Sequence, residues 1–179
     1  ISVSAFLLNR SSDLEIMAYL SELTEIKRKI ANLIVNDEML VELISGEQGK
    51  QLPAVDLIGK NVYLYDYFDD TLKDARTLVC IEIDENDYTS PTARDFELHV
   101  YVCVHKSQMN FIDENGRGQV RRDLIASRID ALLNNRTDLG FQKLKPLRGY
   151  RIIFSSDFRT KDMVYTAKWG NAIGEGLNR

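Results

Sequence analysis

Residues 94–106 read RDFELHVYVCVHK, and two sets of side chains alternate along them without a break. Phe96, Leu98, Val100, Val102 and Val104 fall on one side; Glu97, His99, Tyr101, Cys103 and His105 fall on the other. A period of two with one wholly apolar side is the pattern of a strand laid over a core. Thirteen residues would run about 43 Å if fully extended, more than a small enzyme sheet needs. Residues 76–84, RTLVCIEID, repeat the alternation, with Thr77, Val79, Ile81 and Ile83 opposite Leu78, Cys80 and Glu82. A polar link, ENDYTSP at 85–91, joins the two. Strands this long reach toward a neighbouring subunit, so the expectation is a building block of an assembly.

Working outward, the N-terminal part has helical spacing. Leu23, Ile26, Ile30, Leu33 and Ile34 share one face, charged residues fill the other, and Ser21 is the expected N-cap. Asn36 or Asp37 caps a second helix striped by Met39, Leu40, Leu43 and Ile44 and closed by Gly46. Residues 47–59 form a connection, and 62–66 a short strand. After the Asn115-Gly116-Arg117-Gly118 break, a helix over 119–134 is about 24 Å long, with Val120, Leu124, Ile125, Ile129, Leu132 and Leu133 as its stripe. Two strands close the chain, 150–154 and 163–169, joined by a polar turn at 155–162. The order αα–β–ββ–α–ββ predicts an α+β fold: a mainly antiparallel, curved sheet covered by a helix on one face. A soft boundary divides an N-terminal helical extension, 1–50, from the α+β core, 51–179.

Composition narrows the function classes. The chain has 179 residues, 44% apolar, which suits one globular domain and weighs against disorder. A net charge of −4, with both signs intermixed, argues against a dedicated nucleic-acid binder. Cys80 and Cys103 lie in predicted strands and read as small buried side chains in a reducing compartment. No membrane span and no secretory leader are legible, so the cytoplasm is the expected place and no membrane partner is expected.

Chemistry is sparse. His99 and His105 share a strand face about 20 Å apart, too far for one ion, and read as structural. Asp84 at a strand end and Glu97 on the paired strand resemble the metal-binding carboxylates of restriction-type nucleases. Those enzymes also need a lysine two residues beyond the second acid, where this chain has His99. Ser155-Ser156-Asp157 lacks a nucleophile elbow, and Gly116-x-Gly118 stands alone. No catalytic residue, metal or cofactor is expected. Arg117, Arg121, Arg122 and Arg128 form a basic stripe on the expected wet face of the 119–134 helix. Asp66, Asp69 and Asp70, and Asp84, Glu85 and Asp87, make acidic loops it could meet on a neighbour. Segregated charge of this kind suits head-to-tail contacts, which close into rings when the rotation permits.

Taken together, residues 62–169 resemble the tail terminator family of long-tailed bacteriophages. The resemblance rests on the pair 76–84 and 94–106, the polar-entered helix GRGQVRRDLIASRIDALLNN, and the closing strands YRIIF and MVYTAKW. The stretch LRGYRIIFSSDF after the helix is the most suggestive part. The family implies a helix on a curved sheet and a ring of six copies that caps the tail tube, halts its growth and meets the head's connector. It therefore implies self, a tail tube protein and a head connector or closure protein as partners, and a place in the virion's neck after assembly in the host cytoplasm. DNA would pass through the lumen without sequence recognition, with Asp84, Glu85 and Asp87 facing lumen or neighbour. Another neck component, or a tube protein, is the alternative within the same class.

Overall fold

A computed structural model describes residues 10–45, 54–67, 74–85, 93–113, 115–152 and 156–170. Helix α1, Arg10–Val35, runs unbroken through Ser21, so Ser21 is not its cap. No Pro or Gly interrupts 10–35, and a lone serine costs a helix little. Helix α2, Glu38–Ser45, starts where expected, the Leu40 amide donating to Asp37 Oδ1 at 3.1 Å. Gly46, its expected stop, lies outside the described residues. The connection after it holds a short helix, α3, Ala54–Leu57.

The strands are β1, Val62–Tyr63; β2, Thr77–Glu85; β3, Ala93–His105; β4, Asn110–Ile112; β5, Gly118–Val120; β6, Lys145–Ile152; and β7, Phe158–Gly170. Helix α4, Arg121–Leu133, enters directly from β5. Five strands make one mixed sheet in the order β1-β2-β3-β7-β6, parallel between β1 and β2 and antiparallel elsewhere. It is open, not closed into a barrel, and the α+β reading stands. The pair β2–β3 has the expected register, with Val79 opposite Val102 and Ile81 opposite Val100.

Three expectations need correction. The 62–66 strand is two residues long, because the chain leaves the sheet into the aromatic turn at Tyr65 and Tyr67. The closing strands are longer than expected: β6 starts at Lys145, and β7 already at Phe158, so most of the supposed turn 155–162 is strand. The break at 115–118 is the loop of a hairpin, β4–β5, that the sequence reading missed.

The apolar side of β3 does face the core. Leu98, Val100, Val102 and Val104 are fully buried together with Val79 and Ile81 of β2, Ile125, Ile129 and Leu133 of α4, and Ile30, Ile34, Leu40 and Ile44 of α1 and α2. The first two helices thus pack into the same cluster as α4. Phe141, in the loop between α4 and β6, closes one end edge-on to Phe96, ring centres 4.7 Å apart. Among the described residues, β1 pairs only with Val79 and Cys80 on β2's outer edge, and Lys27 of α1 pairs with Glu82 of the same strand.

Candidate functional site

On the sheet side away from the helices, a polar cluster surrounds His99. Strand pairing sets Asp84 directly opposite Glu97, and Glu97 precedes His99 by one full pleat, so the three share a side. The structure adds Asp162 of β7, a residue the sequence reading had placed in a turn. Its carboxylate meets His99 Nδ1 at 3.0 and 3.2 Å. With Asp162 ionised, Nδ1 carries the proton and Nε2 is turned toward Asp84 and Glu97, 3.6 Å from each. The alternation Phe158, Thr160, Asp162, Val164 was the available signal; it was hidden because the opposite side becomes apolar only at Met163.

Glu97 is already engaged, since Arg148 donates to its Oε2 at 2.9 Å. Among the described residues, no group of three His, Cys, Asp or Glu side chains could hold a metal ion. The nuclease-like pair therefore comes together in space, but inside an ion-pair network.

Burial pushes the Asp162 carboxyl above its ordinary value, against the opposing pull of the His99 hydrogen bond and charge. A raised carboxyl binds its proton more tightly when folded. Its contribution to stability is thus full at acid pH and is lost as pH rises through the raised value. Asp162→Asn is expected to flatten that decline, read by urea unfolding across about pH 4 to 7; an unchanged slope would refute the assignment.

Cys80 and Cys103 are both free and buried, as expected of small core-like side chains, and the Cys80 thiol donates to the Tyr67 carbonyl at 3.7 Å. The neighbouring Cys103 thiol, then burial, pushes the Cys80 thiol up. Leu78 and Phe158 pack with them, beside the stacked rings of Tyr63 and Tyr67, 4.3 Å apart.

The basic stripe divides into four different environments. Arg121 is not on the wet face: it is 4% exposed, donates to the Leu43 carbonyl at 3.1 Å and lies 5.5 Å from the Phe111 ring centre. Arg122 folds back on Asp123. Arg128 reaches Asp37 at 2.8 Å, tying α4 to the cap of α2. Arg117 stands exposed in the β4–β5 loop. Of the acidic candidates, Asp66 and Asp84 are exposed. Glu85 ends β2, though its side chain is outside the described residues, as are Asp69, Asp70 and Asp87.

Burial would push the Asp37 carboxyl up, but the Arg128 hydrogen bond and charge and the Leu40 and Met39 amides outweigh it and hold it below the ordinary value. A lowered carboxyl contributes stability above its unfolded value, and that share is lost as pH falls through the folded one. Asp37→Ala is expected to cost about 1 kcal/mol near neutral pH and progressively less on acidification. Urea titration checks both; a cost that does not shrink in acid would remove the carboxylate from the explanation.

Two surface features complete the picture. The β4–β5 hairpin is held by one side chain: Asp113 Oδ1 accepts from the Asn115 and Arg117 amides at 3.0 and 2.8 Å, and Oδ2 from Gln119 at 3.0 Å. Gly116 takes the positive φ of 74° that the loop requires. The hairpin's outer side presents Ile112, 71% exposed, and Val120. Separately, a groove of about 480 Å³ runs between α4 and the β6–β7 edge; its lining includes Ala126, Met163 and Tyr165, the acids Asp123 and Asp130, and the bases Arg148 and Lys161.

No curated protein matches the chain. Among the described residues, no helix is long and apolar enough to cross a membrane. A family model described as YomW matches residues 37–167, from the cap of α2 to Ala167 near the end of β7. Over nearly three quarters of its length, then, the chain carries the pattern of one family: it belongs to YomW, a phage-derived family of Bacillus SPbeta-like prophages.

Proposed function

We propose that this chain is a structural component of the phage tail, a tail terminator. Copies would form a ring on the last ring of the tail tube, stop its growth and present the opposite face to the head connector. The observation that supports this reading is the joining of a phage-derived family to an open α+β sheet, helices on one side, with a thirteen-residue central strand β3 and an edge strand β6. An open sheet edge is a surface that a neighbouring subunit can complete. The mechanism is assembly rather than turnover. Subunits bind one another and the tube, and DNA passes through the lumen unread.

Asp84, with Glu85 and Asp87 in the link after it, would face that lumen, where negative charge repels phosphates and keeps the passage open. A structure of the assembled ring with these residues on its outer wall would sink this part. The test of the whole is electron microscopy of particles from a lysogen with the gene deleted. Overlong headless tubes beside DNA-filled tailless heads are expected. Normal-length tails that fail to join would move the protein to another neck position, and intact virions would end the structural reading.

A further inference from the structure

Asn115-Gly116 is the only asparagine–glycine pair in the sequence, and both residues are exposed in the β4–β5 loop. Such a pair holds its own electrophile and nucleophile. The backbone nitrogen of the glycine can attack the side-chain Cγ of the asparagine and close a five-membered ring. A side chain on the second residue hinders that approach, and glycine has none. The flank of Gly116 is open as well: among the described residues, nothing lies within 4 Å of where a Cβ would stand.

Hydrogen bonds, not sterics, therefore restrain the nucleophile. The Gly116 amide donates to the Asp113 carbonyl at 2.9 Å. The Asp113 carboxylate takes the amides on either side, Asn115 at 3.0 Å and Arg117 at 2.8 Å. Ring closure requires the Gly116 amide to leave its acceptor and the backbone at Asn115 to rotate, and this clamp resists both. The Arg117 amide, helped by Gln119 and the Asn115 amide, holds the Asp113 carboxyl below its ordinary value against a weaker effect of burial. The clamp is thus ionised at neutral and alkaline pH, where ring closure is fastest.

We propose that Asn115 is a self-modification site whose rate is set by the Asp113 clamp. The step balances without an oxidant or a second enzyme. The bond from Gly116 N to Asn115 Cγ forms, the bond from Cγ to the side-chain nitrogen breaks, and ammonia leaves with the proton given up by the Gly116 amide. Water then opens the ring at either carbonyl, giving aspartate or isoaspartate. Both products add a negative charge two residues from Asp113, and isoaspartate also routes the main chain through Cβ. Conversion thereby loosens the clamp and frees the hairpin that presents Ile112 and Val120, so this surface changes with the age of the protein. None of this depends on the ring reading.

The test incubates the full chain at mildly alkaline pH and follows the exchange of side-chain nitrogen for oxygen by peptide mass spectrometry. Folded wild type should convert at least tenfold more slowly than the same chain unfolded in guanidinium chloride. Asp113→Ala, shown to be folded by circular dichroism, should convert at least fivefold faster than wild type. Asp113→Asn keeps an oxygen for the two amides and should stay near the wild-type rate. Asn115→Gln should show no conversion in this peptide.

A folded wild type that matches the unfolded rate, or equal rates for wild type and Asp113→Ala, overturns the clamp. A folded Asp113→Ala that stays unconverted while the unfolded chain reacts fully, or a gain that persists in Asn115→Gln, overturns the site. If Asp113→Ala does not fold, the comparison of folded with unfolded wild type decides.

Discussion

Leu98→Ala is expected to lower unfolding stability by about 3 kcal/mol and the melting temperature by about 6 to 12 °C. Leu98 has no exposed surface and sits on the central part of the sheet, opposite Ile83 on β2 and Tyr165 on β7. Both flanking strands, and the helices packed over them, fix its surroundings, so the cavity left by truncation has little freedom to collapse. Ile112→Ala provides the contrast. It removes a similar volume of hydrocarbon from a side chain already in water, and its cost is expected to stay within about 0.5 kcal/mol. Urea unfolding of both variants, with unchanged slopes, is the measurement. A Leu98→Ala cost below about 1 kcal/mol would mean that β3 is not enclosed on both flanks.

Arg121→Ala is expected to be nearly as severe, about 3 kcal/mol. Two losses combine: the Leu43 carbonyl loses its donor, and the alkyl stem no longer fills the space between α2 and Phe111. Arg121→Met keeps most of the stem and removes the charge, so about half the loss should return. Equal costs for the two variants would show that only the guanidinium matters. A negligible cost for both would return Arg121 to the solvent-facing role first expected of it.

Arg121 also shows where helical spacing outweighs polarity. Residue polarity puts the helix's apolar stripe at Val120 and every arginine on the opposite side. Yet Arg121, Ile125, Ile129 and Leu133 follow one another at intervals of four, and all four are buried, whereas Val120 is 41% exposed. Spacing puts Arg121 at the head of the buried row, and its long alkyl stem lets a charged residue occupy that place.

Where composition and spacing agreed, as along Phe96 to Val104, strand, side and register were all legible. The His99 cluster was half legible for the same reason. Asp84 and Glu97 could be paired from strand order, but Asp162 comes from a strand whose first half looks like a turn, with Arg159, Lys161 and Asp162 among its polar residues. The β4–β5 hairpin was hidden by its size. Three residues on each side are too few for alternation to register, and only the break Asn115-Gly116-Arg117-Gly118 marks the place.

The sheet's connectivity sets a timetable for synthesis. Strand β3 is flanked by β2, a close neighbour in sequence, and by β7, whose pairing joins residue 93 to residue 170 and residue 105 to residue 158. Until β7 has left the ribosome, β3 has one bare edge and a row of valines without a finished cover, and contacts between such distant residues form slowly. A nascent chain paused before residue 158 would therefore be vulnerable to proteases and to other unfinished copies, and pulse-labelling with brief protease treatment should show resistance arising abruptly once β7 is out. In the ring proposed above, only a whole subunit would then present a finished surface to its neighbours, and the order of the strands would itself keep fragments out.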